Sequence, residues 1–129
     1  MPNQRAVLVI DDDADFTEFV KIILESAGYD VLVAHDADAG LELARQAQPR
    51  LALVDVMMSY ILDGLNLIQT MRMDPRCCQI PIILVSAIVS ADQDGLLPPG
   101  EELGCAAFMS KPLEPRALLR TIAKVLEET

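Results

Sequence analysis

The stretch Leu51-Ala52-Leu53-Val54-Asp55-Val56-Met57-Met58 decides how the rest of the chain is read. Four apolar residues run straight into an aspartate, the pattern of a buried strand that ends by presenting one carboxylate. A charge at the rim of an apolar sheet is costly unless a cation or a hydrogen-bond donor compensates it. What surrounds Asp55 is therefore the question, and the other strand ends answer it.

Outward from that stretch, short apolar runs alternate with helical patterns five times. Ala6-Val7-Leu8-Val9-Ile10 leads into Asp11-Asp12-Asp13. Phe16, Phe19, Val20, Ile23 and Ala27 follow at helical spacing, with Gly28 placed to end that helix. Val31-Leu32-Val33-Ala34 precedes an Ala/Leu-rich helix from about Ala37 to Gln46, with Asp36 as its N-cap and Pro49 beyond its end. Leu51 to Val54 is the third strand, followed by Asp63-Gly64 and a helix from about Leu65 to Met73. Ile82-Ile83-Leu84-Val85 ends in Ser86-Ala87, and Ala107-Phe108-Met109 ends in Ser110-Lys111-Pro112. A last helix starts at Pro115, a residue suited to a first turn, and turns Leu118, Ile122, Val125 and Leu126 inward.

Strands apolar on both faces and separated by helices predict a parallel sheet covered on both sides. Five such units in 129 residues fit one doubly wound, flavodoxin-like α/β domain spanning residues 1–129, with strand order 2-1-3-4-5. The fourth helix position breaks the pattern. Two prolines and two glycines in Asp92-Gln93-Asp94-Gly95-Leu96-Leu97-Pro98-Pro99-Gly100-Glu101 predict a long loop with short helical pieces across 92–104.

Composition narrows the function. A hydrophobic fraction of 52% excludes a disordered acidic chain, despite a net charge of −10. That charge argues against direct nucleic-acid binding and against an anionic membrane surface, both of which need a basic patch. No apolar run reaches membrane-spanning length and no export signal is visible, so a cytoplasmic protein is expected. Cys77, Cys78 and Cys105 are too few for a disulfide scaffold and read as reduced thiols without a function.

In open α/β sheets, functional groups gather at the carboxyl ends of the strands near the switch in strand order. Strand one ends in Asp11 and Asp12, strand three in Asp55, strand four in Ser86 and strand five in Lys111. Three carboxylates brought together repel one another unless a cation intervenes. Oxygen-only ligands suit a hard divalent ion, and Mg²⁺ is the natural choice. A carboxylate beside Mg²⁺, with a lysine and a serine opposite, is what phosphoryl transfer to Asp55 needs.

Val9-Ile10-Asp11-Asp12, Leu53-Val54-Asp55-Val56-Met57-Met58, Asp63-Gly64, Ser86-Ala87 and Lys111-Pro112, in this order and each at a strand end, resemble the receiver domain of two-component response regulators (CheY-like) along the whole chain. The resemblance implies that Asp55 takes a phosphoryl group from a phosphohistidine on a histidine kinase or a histidine-phosphotransfer protein. It implies that Asp12 and Asp55 ligate Mg²⁺ directly, that Asp11 acts largely through water, and that the Met57 backbone carbonyl completes the site. Ser86 and Phe108 stand where family members carry the switching hydroxyl and aromatic residue, and a cis bond is expected at Lys111-Pro112. Such a domain is a signalling phosphoacceptor rather than an enzyme with a turnover substrate, and it acts on a downstream protein or output domain. No output domain is expected after the last helix.

Some positions depart from the family pattern. Ser59 stands where proline is usual, and one extra residue precedes Asp63-Gly64, so a looser loop is expected there. Phe108 lacks the hydroxyl of the more usual tyrosine, and Pro98-Pro99-Gly100 falls on the face receivers use for dimerisation or output.

Other classes fit less well. A haloacid-dehalogenase-like phosphohydrolase could use Asp11 and Asp13, but it needs a later paired-acid motif and room for a cap, neither of which is visible. A flavodoxin-like flavin binder needs a first loop that cradles phosphate, where three aspartates would repel it. A pseudo-receiver would keep the fold as a protein-binding module without the chemistry, against the intact set Asp11, Asp12, Asp55, Ser86 and Lys111. Asp11-Asp12-Asp13 could instead be an acidic helix start, and His35 is read as structural.

Met57 and Ile88 occupy positions that influence water access to the phosphoryl group in the family, and both are apolar. Neither side chain can orient an attacking water, so slow self-dephosphorylation is expected. Decay of the phosphorylated form followed by intact mass measures this, and a lifetime of only seconds would refute it.

Overall fold

The computed structural model describes residues 3–55, 63–86 and 106–128. Met57, Ser59, Ile88, the segment 92–104 and Cys105, for each of which the sequence carries an expectation, lie outside the described residues. Five strands form one parallel sheet in the order β2-β1-β3-β4-β5, as the alternation of apolar runs predicts. They are β1 (Asn3–Ile10), β2 (Asp30–Ala34), β3 (Pro49–Asp55), β4 (Ile82–Ser86) and β5 (Ala107–Ser110). The helices among the described residues are α1 (Ala14–Ser26), α2 (Ala37–Ala47), α3 (Asp63–Met73) and α4 (Pro115–Glu128).

Each strand sends alternate side chains to opposite faces, and two apolar layers result. On one face Leu8, Ile10, Ala52, Val54, Ile82 and Leu84 pack with Ala44, Leu67, Ile68 and Met71 from α2 and α3. On the other, Val7, Val9, Leu51, Leu53, Ile83 and Val85 pack with Val20 and Leu24 of α1 and with Leu118, Ile122 and Val125 of α4. The central strands β1, β3 and β4 are buried on both sides. Strand β5 is not: Ala107 and Met109 turn toward the α1/α4 layer while Phe108 and Ser110 are exposed.

The helix ends are written in side chains. Asp13 caps α1, its carboxylate accepting from the backbone N–H groups of Asp15 and Phe16, and Asp36 caps α2 by accepting from Ala39 at 2.7 Å. Gly28, at φ 94°, takes the left-handed turn after α1 that an L side chain resists. Glu114 precedes Pro115 and accepts from the Ala117 N–H at 2.8 Å. That bond, joined by the Arg116 N–H, holds the Glu114 carboxyl below the usual range. Within α1 the apolar spacing misplaces one residue: Leu24 fills the core, whereas Phe19 is exposed.

At the amino edge of the sheet, Asp74 ties the end of α3 to α2 and to the turn that follows it. Its carboxylate meets the Arg45 guanidinium and accepts from the Arg76 N–H at 2.8 Å, which together hold it below the usual range. Its carbonyl accepts from Cys77 and Cys78 at 2.9 Å. Cys77 is fully buried and burial pushes its thiol up, consistent with an inert side chain.

Gly40 lets α2 sit directly on β1. A Cβ there would meet Cδ1 and Cγ1 of buried Ile10 at 2.6 and 2.9 Å. Gly40→Ala gains about 1 kcal/mol of helix propensity and loses about 1–3 kcal/mol to overpacking. A net loss of up to about 2 kcal/mol is expected, read as a lower thermal midpoint. A raised midpoint would mean that Ile10 gives way at no cost, leaving only the gain in helix propensity.

Candidate functional site

Strand register builds the site. Ile10 is level with Val54, so the next residues, Asp11 and Asp55, emerge side by side at the carboxyl edge. Asp55 is level with Val85, which places Ser86 one step beyond, and Ser86 is level with Ser110, which places Lys111 one step further. Asp55 follows Leu51 and Leu53 on alternate positions of β3, and thus lies on the α1/α4 face.

The carboxylates of Asp11, Asp12 and Asp55 each offer one oxygen, and these oxygens lie within 4.8 Å of one another. Asp11 and Asp55 are buried, whereas Asp12 is exposed. Lys111 reaches over this cluster from the β5 end. Its Nζ stands 2.7 Å from Asp11 Oδ2 and 3.6 Å from Asp55 Oδ2. The ammonium is anchored through its own backbone, whose N–H donates to the Ser86 carbonyl at 2.8 Å. The Lys111-Pro112 bond is cis, as the family resemblance implies. Ser86 is fully buried at the end of β4, and Phe108 turns its ring partly to solvent on β5.

The donor set suits a hard divalent cation: three carboxylate oxygens, without thiolate or imidazole among them. Asp12, the exposed member, faces incoming water and ions. Asp11 is already committed: one oxygen accepts from the Lys111 ammonium while the other accepts from the Asp13 N–H at 2.9 Å.

The triple aspartate divides its work. Asp11 and Asp12 belong to the acid cluster, while Asp13 is the helix cap that an acidic helix start implies. This arrangement removes Asp13 from the pair of acids that a haloacid-dehalogenase-like reading requires. His35 Nε2 lies 3.4 Å from Thr17 Oγ1, away from the acid cluster in its contacts and in keeping with a structural role.

One participant escaped the sequence reading. The sequence marks Phe16 only as an apolar position of α1, yet its ring centroid lies 4.2 Å from Lys111 Nζ. The available signal is its position in the first turn after Asp11-Asp12, on the helix face that packs against the α1/α4 core layer.

The description "Response regulator receiver domain" fits residues 7–123. The chain belongs to this family. Receiver domains are signalling modules rather than enzymes with a turnover substrate. The chain is 35% identical over 123 residues to the DNA-binding dual master transcriptional regulator RpaA of Synechocystis, covering 95% of this chain and 49% of that protein. It is 30% identical over 125 residues to the phosphate regulon transcriptional regulatory protein PhoB of Pseudomonas aeruginosa, covering 97% and 53%. The receiver thus spans about half the length of these curated relatives. Among solved structures, a CheY-like receiver domain protein from Methanospirillum hungatei superposes with a TM-score of 0.84 at 28% identity, over 98% of this chain and 96% of the other. Among the described residues no helix is long and apolar enough to cross a membrane.

Repulsion within the receiver's acid cluster is testable without any ligand. Neutralising exposed Asp12 relieves its interaction with Asp11 and Asp55, worth about 1 kcal/mol per pair at high dielectric. Asp12→Asn is expected to raise the thermal midpoint by a few degrees in chelated, metal-free buffer. A lowered midpoint would mean that Lys111 already balances the cluster.

Proposed function

We propose that this receiver is a phosphoacceptor, acting as one unit over residues 1–129, in which Asp55 accepts a phosphoryl group and thereby changes a protein-binding surface. The observation that carries the reading is the placement of buried Asp55 between the Lys111 ammonium, 3.6 Å away, and two further carboxylates within 4.8 Å. An aspartate put there for packing alone would need no such company.

In the proposed reaction an Asp55 carboxylate oxygen attacks the phosphorus of a phosphohistidine on a kinase or phosphotransfer partner. The new P–O bond forms as the P–N bond breaks, and the electron pair leaves on the imidazole nitrogen, which takes up a proton. No electrons are lost or gained overall. Lys111 is loosely placed against Asp55 and tightly against Asp11, so phosphoryl oxygens arriving on Asp55 offer its ammonium a stronger second partner. The hydroxyl of Ser86, at the neighbouring strand end, is the residue assigned to bind a phosphoryl oxygen. A Mg²⁺ ion held by Asp12 and Asp55, with Asp11 and the Met57 carbonyl in support, would supply the remaining positive charge at the phosphoryl oxygens.

Phosphorylation adds about −1.5 to −2 charges beside Lys111 and Ser86. Ser86 and Ser110 are paired in the sheet, and Phe108 stands two residues before Ser110 on the exposed side of β5. Movement of Ser86 toward the phosphoryl group is thus expected to reach the surface through β4 and β5, with Phe108 contributing packing only. DNA binding belongs to relatives such as RpaA and is a property to be sought in an output partner, not in this acidic domain.

Incubation with acetyl phosphate, followed by intact-mass spectrometry, tests the reading. An acid-stable, base-labile gain of one phosphoryl group is expected in the wild type with Mg²⁺. The gain is expected to vanish with chelator and in Asp55→Asn. A folded wild type that gains nothing and does not bind beryllofluoride would instead be a pseudo-receiver.

A further inference from the structure

Lys111 is usually considered through its acidic partners, but here its ammonium has a third neighbour. The face of Phe16 lies under it, with 4.2 Å between Nζ and the ring centroid. The same nitrogen is 2.7 Å from Asp11 Oδ2 and 3.6 Å from Asp55 Oδ2. The negative face of an aromatic ring attracts an ammonium and, unlike a third carboxylate, adds no repulsion to the acid cluster.

The ring is not loosely hung. Phe16 packs against the α1/α4 core layer, and its N–H donates to Asp13 Oδ1 at 3.3 Å. Asp13 in turn donates its N–H to Asp11 Oδ1 at 2.9 Å. The segment from Asp11 to Phe16 therefore fixes both the tight ionic partner of Lys111 and the aromatic floor beneath it.

We propose that Phe16 is a positioning residue for phosphoryl transfer, holding the Lys111 ammonium over Asp55 by a cation–π contact. The proposal rests on the phosphoacceptor reading of Asp55. Without the ring, water reaches that side of the ammonium and the long lysine side chain is no longer confined above the acceptor. Its ion pair with Asp11 survives, because that pair does not involve the ring. What is lost is the fraction of time the ammonium spends where the incoming phosphoryl oxygens need it.

Two substitutions separate the π face from mere bulk. Phe16→Leu keeps an apolar side chain and removes the face; Phe16→Trp keeps the face. Rates of Asp55 phosphorylation by acetyl phosphate and Mg²⁺ are measured on the full chain, alone and in a Lys111→Gln background. Phe16→Leu is expected to slow phosphorylation on the order of tenfold, the size of a part-buried cation–π contact. Phe16→Trp is expected to stay close to the wild-type rate, and Phe16→Leu to slow the Lys111→Gln protein no further. In the proteins that keep Lys111, its ε-methylene proton signals, shifted upfield by the ring current, are expected to return toward ordinary values only in Phe16→Leu.

A wild-type rate in Phe16→Leu would overturn the proposal. So would an equal slowing in the Lys111→Gln background, which would make Phe16 a space-filler. The resonance shift keeps the contact testable should Phe16→Leu lower the melting point. Failure of the wild type itself to take a phosphoryl group would overturn the phosphoacceptor reading, an outcome distinct from a phosphorylated wild type indifferent to Phe16.

Discussion

One ammonium facing several carboxylates is the constraint on which this molecule depends. Asp11 and Asp55 are buried side by side because β1 and β3 are neighbours with matched register. Their repulsion is tolerable only if positive charge arrives from elsewhere. Lys111 brings it from the far end of the chain, a hundred residues after Asp11, and does so only because β5 closes the order at the edge next to β4. The sheet topology and the electrostatics of the site are thus one problem with one solution.

The rest of the fold serves that placement. The central strands must be apolar on both faces so that helices can cover them, leaving the carboxyl edge as the exit for polar side chains. Helix caps cut from the same segments keep the loops short there: Asp13 stops β1's exit from wandering, and Glu114 turns the chain into α4 soon after Lys111. Gly40 brings α2 close against Ile10, the residue before Asp11. Packing on one face therefore bears on a carboxylate that works on the other.

Much of this was legible in the residues. Runs such as Leu51 to Val54 carry strand identity in their apolarity, and an aspartate, serine or lysine after each run marks which end of the sheet is chemical. Asp36 and Gly28 announce helix ends because their preferences are local. Side-chain neighbours across the fold were not legible. Phe16 and Phe19 both fit the apolar spacing of α1, but only three-dimensional packing puts one beneath Lys111 and leaves the other in solvent. The ion pair of Arg45 with Asp74 is equally silent in sequence, since its partners lie on different helices' ends, 29 positions apart. Even the triple aspartate reads as a unit until geometry splits cluster from cap.

The two edges of the sheet also differ in how their acids are settled. At the amino edge Asp74 is met by Arg45 and Arg76, so its charge is cancelled within the chain. At the carboxyl edge Lys111 pairs with Asp11 and Asp55, two of the three clustered acids, and a deficit of positive charge remains there. The mouth of the acid cluster is accordingly a local negative pole. Such a pole concentrates cations from the medium whatever their identity and holds back small dianions, both more weakly as salt rises. Ionic strength is therefore a variable of the site itself, and the ionic atmosphere is in effect one of its components.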